Sequence, residues 1–157
     1  MRGSWLLIAA AAACALPAQA AEREPLEQWR DWRLVGVDEG GNQAVFLASV
    51  VRAGSAAQFE VLTVYKDVQG EQYKYDKELE TLLADCGART YRRIGYRFQV
   101  GDEATPPPIF RLSPAQAVEQ GTMADGLLSA ACAADPLNGR VVEAPYAWAK
   151  AQLAKAK

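Results

Sequence analysis

Histidine is absent from this 157-residue chain, and no other feature of the composition excludes so much. Its absence removes the commonest general base, the commonest metal ligand and the usual partner of a serine or cysteine nucleophile. Charge of one sign is lacking as well. There are 17 Lys and Arg against 19 Asp and Glu, a formal net charge of −2, whereas nucleic-acid binding leaves a strongly basic footprint. The chain has no GxSxG, phosphate-loop or HExxH motif, so the common hydrolase and nucleotide signatures are missing. Beyond residue 20 no apolar run approaches membrane-spanning length. The length suits one domain with a modest core.

The first 20 residues read as a targeting segment. Arg2 precedes an apolar run from Trp5 to Ala13, and Ala18-Gln19-Ala20 is the small-x-small pattern that signal peptidase recognises. Cleavage after Ala20 is expected, delivering a mature chain with no transmembrane segment to the periplasm or the cell surface. Cys14 closes the apolar run and offers lipid attachment as an alternative. However, Ala11-Ala12-Ala13 lacks the leucine of a lipobox.

Of three cysteines, signal removal leaves Cys86 and Cys132. Two cysteines in an oxidising compartment read most simply as one disulfide. It would close a loop of about 46 residues, which chain entropy values at about 4 kcal/mol. A redox pair and a metal site are the alternatives. The first normally needs Cys-x-x-Cys spacing, and the second needs ligands that this composition does not supply. No metal and no cofactor are expected.

Along the mature chain, residues 21–31 have the composition of a helical lead-in, with Leu26 and Trp29 at i and i+3. Strand patterns follow at Trp32–Val37, Val45–Val51, Phe59–Lys66 and Tyr91–Val100. In the last of these, Ile94, Tyr96, Phe98 and Val100 alternate with Arg93 and Arg97, as in a sheet with one wet face. Short turns between successive strands predict an antiparallel sheet. Tyr73–Cys86 is ambiguous, because Leu79, Leu82 and Leu83 have helical spacing while Leu79, Thr81 and Leu83 also alternate. Pro106-Pro107-Pro108 predicts an extended surface connection. Thr122 caps a helix that runs to Cys132, with Asp125 completing a capping box. Residues 134–157 are expected to be a helical tail from Pro145 onward, packed loosely or mobile.

The order of these elements resembles the surface-adhesin protein E family of small exported bacterial proteins. The resemblance rests on Val64-Tyr65-Lys66 closing a strand, Asp85-Cys86 followed by Arg89 and Tyr91-Arg92, a proline-rich loop, and a helix from Gly121-Thr122 to Ala131-Cys132. It covers about residues 30–133, so the family-like domain is taken as 32–133. The likeness implies an α+β fold, an antiparallel sheet covered on one face by the C-terminal helix, with Cys86–Cys132 joining sheet to helix. It also implies that Tyr73–Cys86 is largely strand, against its local helical propensity.

By that likeness the chain is expected to be a non-catalytic binding or adhesin-like module of the cell envelope with a protein ligand. The candidate surface is Lys66, Lys74, Lys77, Arg89, Arg93 and Arg97 with Tyr65, Tyr73, Tyr75 and Tyr91 interleaved. Arg and Tyr are the types that concentrate interface energy. A structural or accessory periplasmic role is the alternative, with a homodimer through strand edges as one form of it. A carboxylate-based hydrolase would have to draw on scattered acids such as Asp67, Asp76, Asp85, Asp102 and Asp125.

Overall fold

The computed structural model describes residues 30–40, 43–52, 56–101, 103, 108–133 and 140–155. The expected signal peptide, nearly all of the helical lead-in, and Pro106 and Pro107 lie outside them. Five strands form a meander: β1 (Arg33–Asp38), β2 (Ala44–Arg52), β3 (Ala56–Gln69), β4 (Tyr75–Asp85) and β5 (Thr90–Gln99). The two-residue β6 (Gln116–Ala117) completes an antiparallel sheet in the order β1-β2-β3-β4-β5-β6. Two helices follow, α1 (Met123–Ala133) and α2 (Pro145–Leu153). The fold is α+β, as expected.

β4 is strand along its whole length, so the helical spacing of its leucines is overridden. Propensity differences of a few tenths of a kcal/mol per residue give way to two flanking strands that each offer a complete ladder. The pairing puts Leu79 opposite Leu62 and Leu82 opposite Phe59. Leu79 and Leu82 therefore enter the core from opposite sides of the sheet.

The register sorts the side chains into two faces. On one face, Ala48, Ala57, Phe59, Val61, Leu82 and Ala84 pack under Leu127, Leu128 and Ala131 of α1. On the other, Val45, Leu47, Leu62, Val64 and Leu79 pack with Trp32 and with Ala149 and Leu153 of α2. Full burial of each large apolar side chain contributes roughly 1.5–3 kcal/mol. The expectation of a loosely packed or mobile tail is thereby corrected. Leu153 is 2% exposed and Ala149 fully buried, because the sheet's second apolar face needs a cover. The expected single helix-covered face is corrected with it: helices lie on both.

The disulfide is present between Cys86, just past β4, and Cys132 on α1, with Cα atoms 5.6 Å apart. It ties the far end of α1 to the sheet. At the near end, the Asp125 backbone N–H donates to Thr122 Oγ1 at 3.3 Å, and Asp125 Oδ2 accepts from the Gly121 N–H at 2.8 Å. The expected cap is there, and Arg89 pairs with Asp125 across from the β4–β5 turn.

A bulge changes β5. Thr81 pairs with Gly95 but Leu82 pairs with Arg93, so Ile94 is the extra residue. The slip puts Arg93 on the same face as Tyr96 and Phe98 and leaves Arg97 on the other. The expected alternation, with Arg93 and Arg97 together on a wet face, is therefore corrected.

Candidate functional site

On the α1 face, register builds cross-strand rows. One row runs Phe46, Thr63, Glu78, Phe98; the next runs Ala48, Val61, Glu80, Tyr96; a third runs Val50, Phe59, Leu82, Arg93. The helix α1 covers the Val61, Phe59 and Leu82 part of this surface. It stops short of Glu78, Phe98 and Tyr96, which are half-buried. What remains open is a corner of the sheet rich in rings and carboxylates.

The rings form a connected ladder. Tyr65 meets Tyr75 edge-on with centroids 5.7 Å apart, Tyr75 lies 4.5 Å from Phe98, and Phe98 lies 5.2 Å from Tyr96. These separations fall in the favourable range for aromatic pairs. Arg93 finishes the ladder: its guanidinium sits 4.9 Å from the Tyr96 centroid and donates to Glu80 Oε1 at 2.8 Å. Among the described residues Glu78, in the middle, accepts the Tyr65 hydroxyl at 3.3 Å and has no ion pair; the Arg93 charge reaches it but is paired with Glu80.

Burial pushes the Glu78 carboxyl up to about 7, and repulsion from Glu80 adds to the rise. The Tyr65 hydroxyl is held above its ordinary value, first by burial and then by the Glu78 charge. Tyr75 is raised for the same two reasons. A carboxylate taken out of water without a cation prefers its neutral form, and the phenols beside it resist ionising into its field.

Next to this corner, a cavity of about 130 Å³ opens under the first turn of α1, with Phe46, Phe59, Val61, Thr63 and Glu80 on the sheet side and Met123 and Leu127 on the helix side. Gly36 lies beside the helix start, where a Cβ would come within 3.3 Å of Met123 Sδ and that flexible side chain would have to shift slightly. Thr63 belongs to both places: it lines the cavity and pairs directly with Glu78.

The surface proposed from sequence is dispersed. Tyr65, Tyr91 and Arg93 share the α1 face, and Tyr91 also lines the cavity and donates to Gln116 at 2.9 Å. Arg89 is used to hold the start of α1. Lys66 bonds the Gln43 side chain at 2.6 Å, and Lys74 bonds the Gly70 carbonyl at 2.8 Å in the β3–β4 turn. Tyr73 is exposed, and Arg97 faces the α2 side. Lys77 is fully buried, with its ammonium 4.2 Å from the Tyr146 ring centroid. Sequence reasoning missed Glu78, Glu80, Tyr96 and Phe98. Their alternation in β4 and β5 was legible, but the bulge that adds Arg93 to them was not.

The α2 face carries a second polar cluster. Asp76 accepts the Tyr146 hydroxyl at 2.6 Å, the Gly101 N–H at 3.0 Å and the Lys150 ammonium at 2.9 Å. Burial alone would raise its carboxyl, but these donors outweigh it and hold the group below its ordinary value. Lys150 also donates to the carbonyls of Tyr65 and Lys66, where the β3–β4 register breaks and the ladder no longer supplies partners. Among the described residues, no group of three or more His, Cys, Asp or Glu is placed to hold a metal, and no helix is long and apolar enough to cross a membrane. No protein-family model, curated protein or solved structure matches this chain.

Proposed function

We propose that this chain is an exported, non-catalytic binding module of the surface-adhesin protein E type, with a protein ligand seated on the open corner of the α1 face. The observation that carries this reading is the partly exposed ladder Tyr65–Tyr75–Phe98–Tyr96–Arg93, which lies beside the core that α1 packs on. Tyr and Arg are among the residue types that carry most of the binding energy at interfaces. Export to the periplasm or cell surface follows from the amino-terminal pattern and fits the Cys86–Cys132 bridge.

The experiment is capture of envelope or host-matrix proteins by mature chain, comparing the native sequence with Tyr96→Ala plus Arg93→Ala. Cell fractionation with protease shaving runs beside it. A specific captured protein that the double variant loses supports the reading. Equal capture by both proteins, with the variant still folded, sinks it. Glu78, held near neutrality beside Glu80, favours a carboxylate-based hydrolase as the second reading. Hydrolysis of a glycoside or ester panel that disappears in Glu78→Gln would establish it instead.

A further inference from the structure

Acid, aromatic ring and cation recur together in this molecule. On the α2 face Asp76 is matched by Lys150, with Tyr146 beneath Lys77 and Lys150. On the α1 face Glu80 is matched by Arg93, which lies over Tyr96. The third assembly, Glu78 with Tyr65, Tyr75 and Phe98, has the acid and the rings but no ion pair among the described residues, since Arg93, whose charge reaches Glu78, is paired with Glu80.

We infer that this corner receives an aliphatic ammonium group, as a lysine side chain of the protein ligand presents it, with Glu78 as counter-ion and Tyr65, Tyr75 and Phe98 as its aromatic wall. The inference rests on the binding-module reading above and names the part of the ligand that is recognised. Ring faces attract a cation through their quadrupole, and the attraction grows where water is displaced. A carboxylate among them supplies the charge. The apolar stem has a place as well. Thr63 and Glu78 are directly paired, so their Cβ atoms are roughly 4.5–5.5 Å apart. Thr63 also lines the cavity of about 130 Å³ under α1, next to Phe46 and Met123. A short methylene chain reaching Glu78 from that side lies over apolar surface, as lysine stems do elsewhere. Burial, with the Glu80 charge second, holds the Glu78 carboxyl high, and an ammonium bound beside it would draw it back down.

The probe is n-butylamine, which is the lysine side chain itself, titrated into the mature chain while the aromatic resonances are followed by NMR. n-Butanol serves as the neutral control. Saturable shifts at Tyr65, Tyr75 and Phe98 are expected, with a Kd on the order of millimolar for so few atoms. Glu78→Gln should weaken binding at least tenfold, and so should Tyr75→Leu, which keeps apolar bulk but removes the ring. Butanol binding as well as butylamine would mean an apolar cavity only, and would overturn the inference. So would butylamine binding unchanged by Glu78→Gln, or no saturable shift at all. The titration needs no protein ligand. Its failure is therefore separable from that of the module reading, which stands if a captured protein is lost on Tyr96→Ala plus Arg93→Ala yet retained on Glu78→Gln.

Discussion

The two faces of the sheet solve the same problem differently. Each has an apolar patch under a helix and, toward the other end of β4, a group of carboxylates and rings. On the α2 face that group is closed: Asp76 has three donors, and the helix that supplies Tyr146 and Lys150 is the lid itself. On the α1 face the helix is held at both ends, by the Cys86–Cys132 bridge and by Arg89–Asp125, over only part of the sheet. Glu78 and four rings are left at the edge. The difference teaches that a saturated polar cluster belongs to the architecture, whereas an unsaturated one beside a cavity can be completed by something from outside.

The comparison can be broken most strongly at the bridge. Cys86→Ser with Cys132→Ser should cost about 4 kcal/mol by chain entropy, read from denaturant midpoints. Loss should fall first on the α1 face, so hydrogen exchange at residues 123–132 should accelerate before that at 145–153. On the α2 face, Asp76→Ala strips Tyr146 and Lys150 of their shared acceptor in a nearly buried place. That should cost about 3 kcal/mol, because it leaves an uncompensated cation. Tyr146→Phe removes a single hydrogen bond to the same carboxylate and should cost about 1.5–3 kcal/mol, with α2 still docked.

The pH dependence sharpens the contrast most, because its sign is opposite on the two faces. The Glu78 carboxyl is raised from 4.5 to about 7 in the folded chain, so between those values the folded state holds more protons than the unfolded one. Its contribution to stability is therefore fully present below about 4.5 and is lost as pH rises through about 7. Asp76 behaves the other way. Its lowered carboxyl stabilises above its ordinary range, and that contribution is lost as pH falls through the folded value. Glu78→Gln should flatten the decline between pH 4.5 and 7 and leave the protein no less stable at pH 8. A thermal-melt series across pH checks both. A decline unchanged in Glu78→Gln would remove Glu78 as its source.

Much of the fold could be read in advance from particular residues. The alternation of Phe59, Val61 and Thr63 against Glu60, Leu62 and Val64 announced the central strand, which buries residues from both sets. Thr122 and Asp125 announced the start of α1. The leucines of β4 did not announce their state, since Leu79, Leu82 and Leu83 satisfy both periods, and pairing with β3 and β5 decided it. Arg93 was misread because a bulge leaves no mark that a two-residue period detects. The tail was misread because Ala- and Lys-rich composition shows propensity and not destination. Lys150 looks like a solvated residue until the carbonyls of Tyr65 and Lys66 are placed beneath it.

What the sequence alone determined is local or subtractive. The missing histidine removed the chemistry that depends on an imidazole, the apolar pattern marked the strands other than β4, and two cysteines outside the amino-terminal segment made a pair. What only the tertiary structure decided is which of those residues meet. Glu78 and Glu80 are ordinary acids in a charged stretch until β3 and β5 bring the Tyr65 and Phe98 rings to one and a guanidinium to the other. The reason is that cross-strand neighbours are set by register, which depends on every turn and bulge between them, while sequence pattern records only the face of each strand on its own.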